Sequence, residues 1–461
     1  MNIIWKGSLL IALVFISGTA GIGRADCVCG NNFPGPCDYS CAPDACDYSC
    51  DTGCDTGCGG DYYIYKDACS SLQATDDGYL WTFGRGRCAQ TYRFDGWIES
   101  GIMTNSHGTT HTAKGYGGNG PMHTRGNRRT DYTVSQVSLL GEKVMDTSRG
   151  FDWGFRTNFV YGSDGPSMQS SGDRTFDYDW ATNDHRYGLA CYQLFGTVGY
   201  KNLSVRGGKF ITPIGWEESL SKNNFFYSHS YCYWIEPATH TGVLADYAVN
   251  DCLTLKGGWT AGMDNGFGNR FGSSAYLLGF NYALTKKASI YYYINQGDQY
   301  NGMFSNGEWA MEDFGSVTIP EDKIDKVRYF VQSFVFEWNP TKRFTYMMQY
   351  NLRNDTVHSI VPATPKDQSS SYGINNHFLY QLTDKLGVGM RLEWLRDNSG
   401  YYVAAPETDY YQMTYGLKWD PNRHWSVRPE VRFDQANGST PFAAGRKSSQ
   451  ITGGVGVLYI F

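Results

Sequence analysis

The residues able to do chemistry in this chain are charged side chains at every second position of otherwise aromatic runs. Arg156, Arg206, Lys256, Arg343, Arg353, Arg391, Lys418, Arg428 and Arg432 fall on one side of such runs. Asp152, Asp164, Asp246, Asp264, Glu393, Asp397, Asp420, Glu430 and Asp434 fall on that same side, so nine bases face nine acids. Fixed charges on a wet wall are what a permeation path requires. Several acids lie at run ends, whereas Arg206, Arg391 and Arg432 lie nearer the middle, a basic belt that would favour anions weakly. The alternative is that acids and bases pair as rungs that stiffen the wall without tuning passage.

A second candidate is the segment from Ile211 to His240, with Trp216, Phe225, Phe226, Tyr227, Tyr231, Tyr233 and Trp234. A connection this apolar is not expected to stand in water. It is expected to fold inward as a constriction carrying Glu217, Glu218, Glu236, His229 and His240, with the three acids opposite wall arginines. The alternative is packing on a neighbouring protomer.

The cysteines carry a third possibility. Ten of the 13 lie between Cys27 and Cys88, spaced mostly by four, as in Cys46, Cys50, Cys54 and Cys58. Zinc ribbons want CxxC or a nearby histidine, so disulfide staples or intermolecular crosslinks are the better expectation in an oxidising compartment. For Cys191, Cys232 and Cys252 no pairing is legible. Hydrolase, metalloprotease and nucleotide-binding motifs are absent, and Ser228-His229-Ser230 is a mere adjacency. No enzyme activity, cofactor or metal is expected, although a triad assembled from separate strands stays open.

The elements that must hold these residues begin after a secretory signal. Lys6, the apolar run Ser8 to Ile16 and the small residues around Gly23-Arg24-Ala25 place cleavage near Asp26. Asp26 argues against lipidation at Cys27. A signal peptide (1–25), a Cys-rich low-complexity segment (26–58) and a connector (59–92) then precede a regular region, 93–461. No apolar run is long enough to cross a membrane as a helix. The mean hydropathy of -0.44 does not exclude a membrane, because a barrel alternates lipid-facing with water-facing side chains. Net charge is -6, which argues against a nucleic-acid partner.

The regular region alternates with a period of two. Phe151, Trp153, Phe155, Phe159 and Tyr161 oppose Asp152, Gly154, Arg156 and Asn158, and the split recurs from Phe344, Leu386, Tyr411 and Trp425. Sixteen such runs begin near Arg93, Tyr132, Phe151, Leu189, Leu203, Thr241, Leu253, Ser274, Ala288, Lys326, Arg343, Tyr372, Leu386, Asp409, Trp425 and Gln450. Short and long connections alternate between them, as in an up-and-down transmembrane β-barrel with tight turns at one end. A soluble β-sandwich is the alternative, but it rarely turns so many Trp and Tyr outward. The chain closes on Val455, Val457, Tyr459 and Phe461, all on one face, which suits a last strand ending at a membrane interface.

GWIESGIMTNSH from Gly96, SQVSLLGEK from Ser135 and the long segment from Gly207 through Tyr247 resemble the OmpL-like β-barrel porin family. The resemblance spans Arg93 to Phe461 and leaves the Cys-rich prefix outside it. It implies an all-β barrel in the bacterial outer membrane, in contact with lipid, and more weakly transport. Sixteen strands would leave an aqueous channel for passive diffusion of small hydrophilic solutes, in a barrel of a size often found as a homo-oligomer, the trimer. The alternative is a structural surface protein whose Cys-rich arm crosslinks it to the envelope.

Overall fold

The computed structural model describes residues 81–83, 92–107, 130–148, 150–170, 176–177, 180–181, 187–268, 272–300, 326–356, 369–398, 407–443 and 445–461. The expected signal peptide, the Cys-rich segment and most of the connector lie outside the described residues. A short strand, β1 (Trp81–Phe83), pairs with the start of β2 (Tyr92–Asn105).

From β2 onward the alternating runs form sixteen antiparallel strands, each bonded to the next. They continue as β3 (Thr130–Lys143), β4 (Phe151–Gly162), β5 (Gly188–Tyr200), β6 (Leu203–Ile211), β7 (Thr239–Asn250), β8 (Leu253–Thr260) and β9 (Ser274–Thr285). The second half is β10 (Ala288–Tyr300), β11 (Lys326–Thr341), β12 (Phe344–Thr356), β13 (Ser369–Thr383), β14 (Leu386–Asp397), β15 (Thr408–Asn422), β16 (Trp425–Asn437) and β17 (Ser449–Ile460). The last strand returns to the first, with Val455 opposite Ile102 and Ile460 opposite Trp97, and the sheet closes.

The expected strand starts hold to within three residues, because each lies where the alternation of the two faces begins. Tight turns such as Lys201-Asn202, Asp251-Cys252 and Lys286-Lys287 join strands at one rim, and long connections join them at the other. One position moves. Arg343 was expected at the start of a wall strand, but it sits in the exposed Lys342-Arg343 turn, because β11 runs on to Thr341 before the chain reverses.

Side-chain direction follows the period of two. Phe151, Trp153, Phe159 and Tyr161 are exposed on the outside of β4, while Asn158 and Val160 are buried inside. Exposed aromatics gather in two girdles. Trp153, Tyr200, Trp338, Tyr380, Trp419 and Trp425 ring the short-turn end, and Tyr132, Tyr161, Trp259, Tyr276 and Tyr411 ring the other. Amphipathic rings at both ends of an apolar band are the signature of a bilayer-spanning barrel.

The C-terminus completes the seam. Phe461 N–H donates to the Gly96 carbonyl at 2.9 Å and its own carbonyl accepts from Gly96 N–H at 3.2 Å. The ring lies so close that a Cβ added at Gly96 would stand 2.5 Å from it and 2.8 Å from the Ser138 carbonyl. Gly96→Leu is therefore expected to displace Phe461 and open the seam. Unboiled gel electrophoresis should show the heat-modifiable folded band reduced severalfold against wild type, and an undiminished band would contradict this role for the glycine.

Candidate functional site

The connection between β6 and β7, residues 212–238, folds inside the cylinder. Thr212 N–H donates to the Ala238 carbonyl at 3.1 Å and closes its neck. Most of what it then touches lies on the wall face opposite the exposed aromatics, so the segment turns inward as expected.

A buried segment with little helix or sheet must find partners for its own backbone. The wall supplies them with charged side chains. Glu430 accepts from Tyr227 N–H at 2.9 Å and Ser228 N–H at 3.2 Å. Glu393 accepts from Tyr231 N–H at 2.7 Å and Cys232 N–H at 2.5 Å. Arg391 donates to the Ser228 carbonyl at 2.7 Å and the His229 carbonyl at 3.2 Å. Arg428 donates to the carbonyls of Ser221 at 2.8 Å and Asn224 at 3.1 Å, and also pairs with Glu99. Arg432, held by Asp434, donates to the His229 carbonyl at 2.6 Å. Charge-assisted bonds of this kind are about twice as strong as neutral ones.

The apolar side chains need room, and inward-facing glycines provide it. Phe225 lies over Gly387 and Gly389, Phe226 over Gly416, and Tyr227 over Gly101 and Gly456. A Cβ at Gly389 would stand 2.4 Å from the Phe225 ring. These contacts seat the loop on β12 to β17 and on β2 and β3, while Trp216 donates to Glu337 of β11 at 3.1 Å and Ile214 and Leu220 join buried clusters with residues of β4, β5, β7 and β9 to β11.

Of the expected constriction residues, Glu217 alone takes the expected partner, an Arg391 guanidinium at 2.7 Å. Burial would raise its carboxyl, but the charges of Arg391, His377 and His229 outweigh that and hold it at about 2. Glu236 was expected opposite an arginine and instead accepts from the amides of Gln349 and Asn351. Burial drives its carboxyl well above the ordinary range. Glu218 turns back on its own loop, accepting from Asn223. His229 stacks on Tyr233 at 4.1 Å. His240 is a wall residue of β7, bonded to Thr212 at 3.0 Å, because the strand starts at Thr239.

Among the wall candidates, Arg391, Glu393, Arg428, Glu430 and Arg432 lie beneath the loop. Arg156, Arg206, Lys256 and Arg353 lie on the wall and pair with Glu142, Asp246, Asp246 and Asp355. The expected mid-strand belt is not an open ring, since Arg391 and Arg432 are covered and Arg206 is paired. Asp164 and Asp264 belong to connections, where Asp264 accepts from Ala238 and Thr239 N–H. Sequence reasoning missed Glu99, Gln136, Gln349, Asn351 and His377. Their inward register was legible, but uncharged or isolated polar side chains did not stand out.

Cys191 and Cys232 are buried thiols, whereas Cys252 in the β7–β8 turn is disulfide-bonded with its partner outside the described residues. No group of three or more His, Cys, Asp or Glu among the described residues is placed to hold a metal.

Sixteen antiparallel strands, greasy outside and charged inside, with a long loop folded into the lumen, define a porin-type barrel of the bacterial outer membrane. The chain belongs to the family described as "Putative beta-barrel porin-2, OmpL-like", whose model matches residues 91–461. Its fold is similar to that of in-vitro-folded OmpT, an outer membrane protein of Vibrio cholerae, at 11% identity and a TM-score of 0.51 over 83% of this chain and 99% of that one. An anion-selective porin from Comamonas acidovorans has 10% identity and a TM-score of 0.50 over 80% of this chain and 99% of that one. No curated protein matches the chain.

The two buried loop acids should respond differently to neutralisation. Glu217→Gln strips Arg391 of its counter-ion, and breaking a buried pair costs about 3–5 kcal/mol. Glu236→Gln replaces a carboxyl that burial already favours as neutral and should cost under about 1 kcal/mol. Thermal unfolding in detergent should show a clearly lowered midpoint for the first and a midpoint near wild type for the second.

Proposed function

We propose that the barrel is a passive channel through which small hydrophilic solutes diffuse past the docked loop. The observation that carries this reading is that wall cations stay partly exposed beside the docked loop. Arg156 on β4, Arg206 on β6 and Arg353 on β12 keep part of their surface open to water although the loop is bonded to much of the wall. A fixed loop narrows such a lumen and sets its size limit without closing it. In this reading solutes move down their gradients with no reaction catalysed, and the protomers form a homo-oligomer, a trimer by barrel size.

Purified protein in a planar bilayer should give stable current steps. Deleting Asn223 to Tyr233 removes the aromatic seat and should raise single-channel conductance roughly twofold, since barrels of this strand number enclose an aqueous channel once unfilled. Unchanged conductance would sink the constriction. A silent bilayer, with disulfide-linked ladders on a non-reducing gel, would replace the channel with a structural anchor.

A further inference from the structure

Four of the described ion pairs of the lumen share an asymmetry. Arg156, Lys222, Arg206 and Arg353 are 27, 22, 20 and 19% exposed, whereas their carboxylate partners Glu142, Asp95, Asp246 and Asp355 are only 7, 7, 3 and 2% exposed. The acid is recessed against the wall each time, and the base covers it on the lumen side.

Geometry explains the recess. Glu142 lies directly across the ladder from Arg156 and also receives Arg93, at 2.6 and 3.5 Å. Asp246 lies directly across from Lys256 and is gripped by both Lys256 at 3.0 Å and Arg206 at 2.5 Å. A short carboxylate between two long cationic side chains stays near the backbone while the longer stems reach past it. Phe195 on β5 lies opposite Arg156 in the ladder and 5.7 Å from the Arg206 guanidinium, so the two bases flank one ring. Lys222, on the loop, pairs with Asp95 of β2 and also lies over the Trp97 ring at 4.8 Å. The order reverses near the short-turn rim, where Asp152 and Asp420 are more exposed than Lys143 and Lys418.

We infer that the lumen holds a path for small anions, lined by Arg156 and Arg206 on the wall and Lys222 on the loop, with their counter-carboxylates hidden behind them. This rests on the channel reading above and adds the class of solute. A neutral pair is silent at long range, but an ion in a narrow bore meets the nearer group first. There a guanidinium at contact distance attracts chloride, phosphate or a carboxylate and repels a cation, and low-dielectric walls strengthen the effect. Exposed guanidinium groups also match carboxylate and phosphate oxygens in shape.

The test is the reversal potential across a tenfold potassium chloride gradient. Wild type should prefer chloride over potassium about three- to fivefold, the factor expected from one such contact in a hydrated bore. Arg156→Gln combined with Arg206→Gln should bring the ratio close to one. Both acids keep a base, Arg93 for Glu142 and Lys256 for Asp246, so the barrel should still fold, and heat-modifiable mobility checks that. Arg206→Gln alone serves if the double variant does not fold and should give an intermediate ratio. Arg343→Gln, in the exposed turn, should leave the ratio at its wild-type value. Potassium preference in wild type, or a ratio indifferent to the lumen substitutions, overturns the anion path while leaving the channel standing. A protein that conducts nothing overturns both.

Discussion

Hydrocarbon offers no water to a peptide bond, and the rest of this molecule follows from that. Each strand's N–H and C=O groups must be met by another strand, so the sheet has to close. The β17–β2 seam is where closure is achieved, and it is finished by the last residue, whose backbone bonds both ways with Gly96. The period of two then sorts side chains without further choice. Once one face meets lipid, the other must look into the bore.

The same requirement returns inside the bore in a different form. The loop between β6 and β7 brings a long stretch of irregular backbone into a buried place where no strand can pair with it. Charged side chains of the wall take the part that a neighbouring strand would play. Glu430 and Glu393 each hold two consecutive N–H groups, and Arg391 and Arg428 each hold carbonyls. Burying such charges is costly unless they are fully bonded, and here the loop backbone itself completes the bonding. Loop and wall are therefore one folded unit.

Charge in the lumen is organised by length as much as by sign. At Arg156, Arg206 and Arg353 the carboxylate partner stays close to the sheet and the guanidinium extends beyond it. A wall with balanced composition can for this reason present an unbalanced surface. Counting nine bases and nine acids hid that difference.

Sequence alone was enough for the cylinder. The alternation of Phe151 to Gly162 and the short and long connections left one arrangement able to satisfy backbone and bilayer together, because a local period of two dictates where each side chain points. It was also enough to turn the loop inward, since its aromatics could not face water. Which groups meet inside could not be read from a linear pattern. Glu236 found amides, Arg391 and Arg432 went under the loop, and Gly389 became a seat for Phe225, because such contacts join residues more than a hundred positions apart. Only the closed tertiary structure sets the distances across the bore, and those distances decide which charges are covered and which a solute can reach.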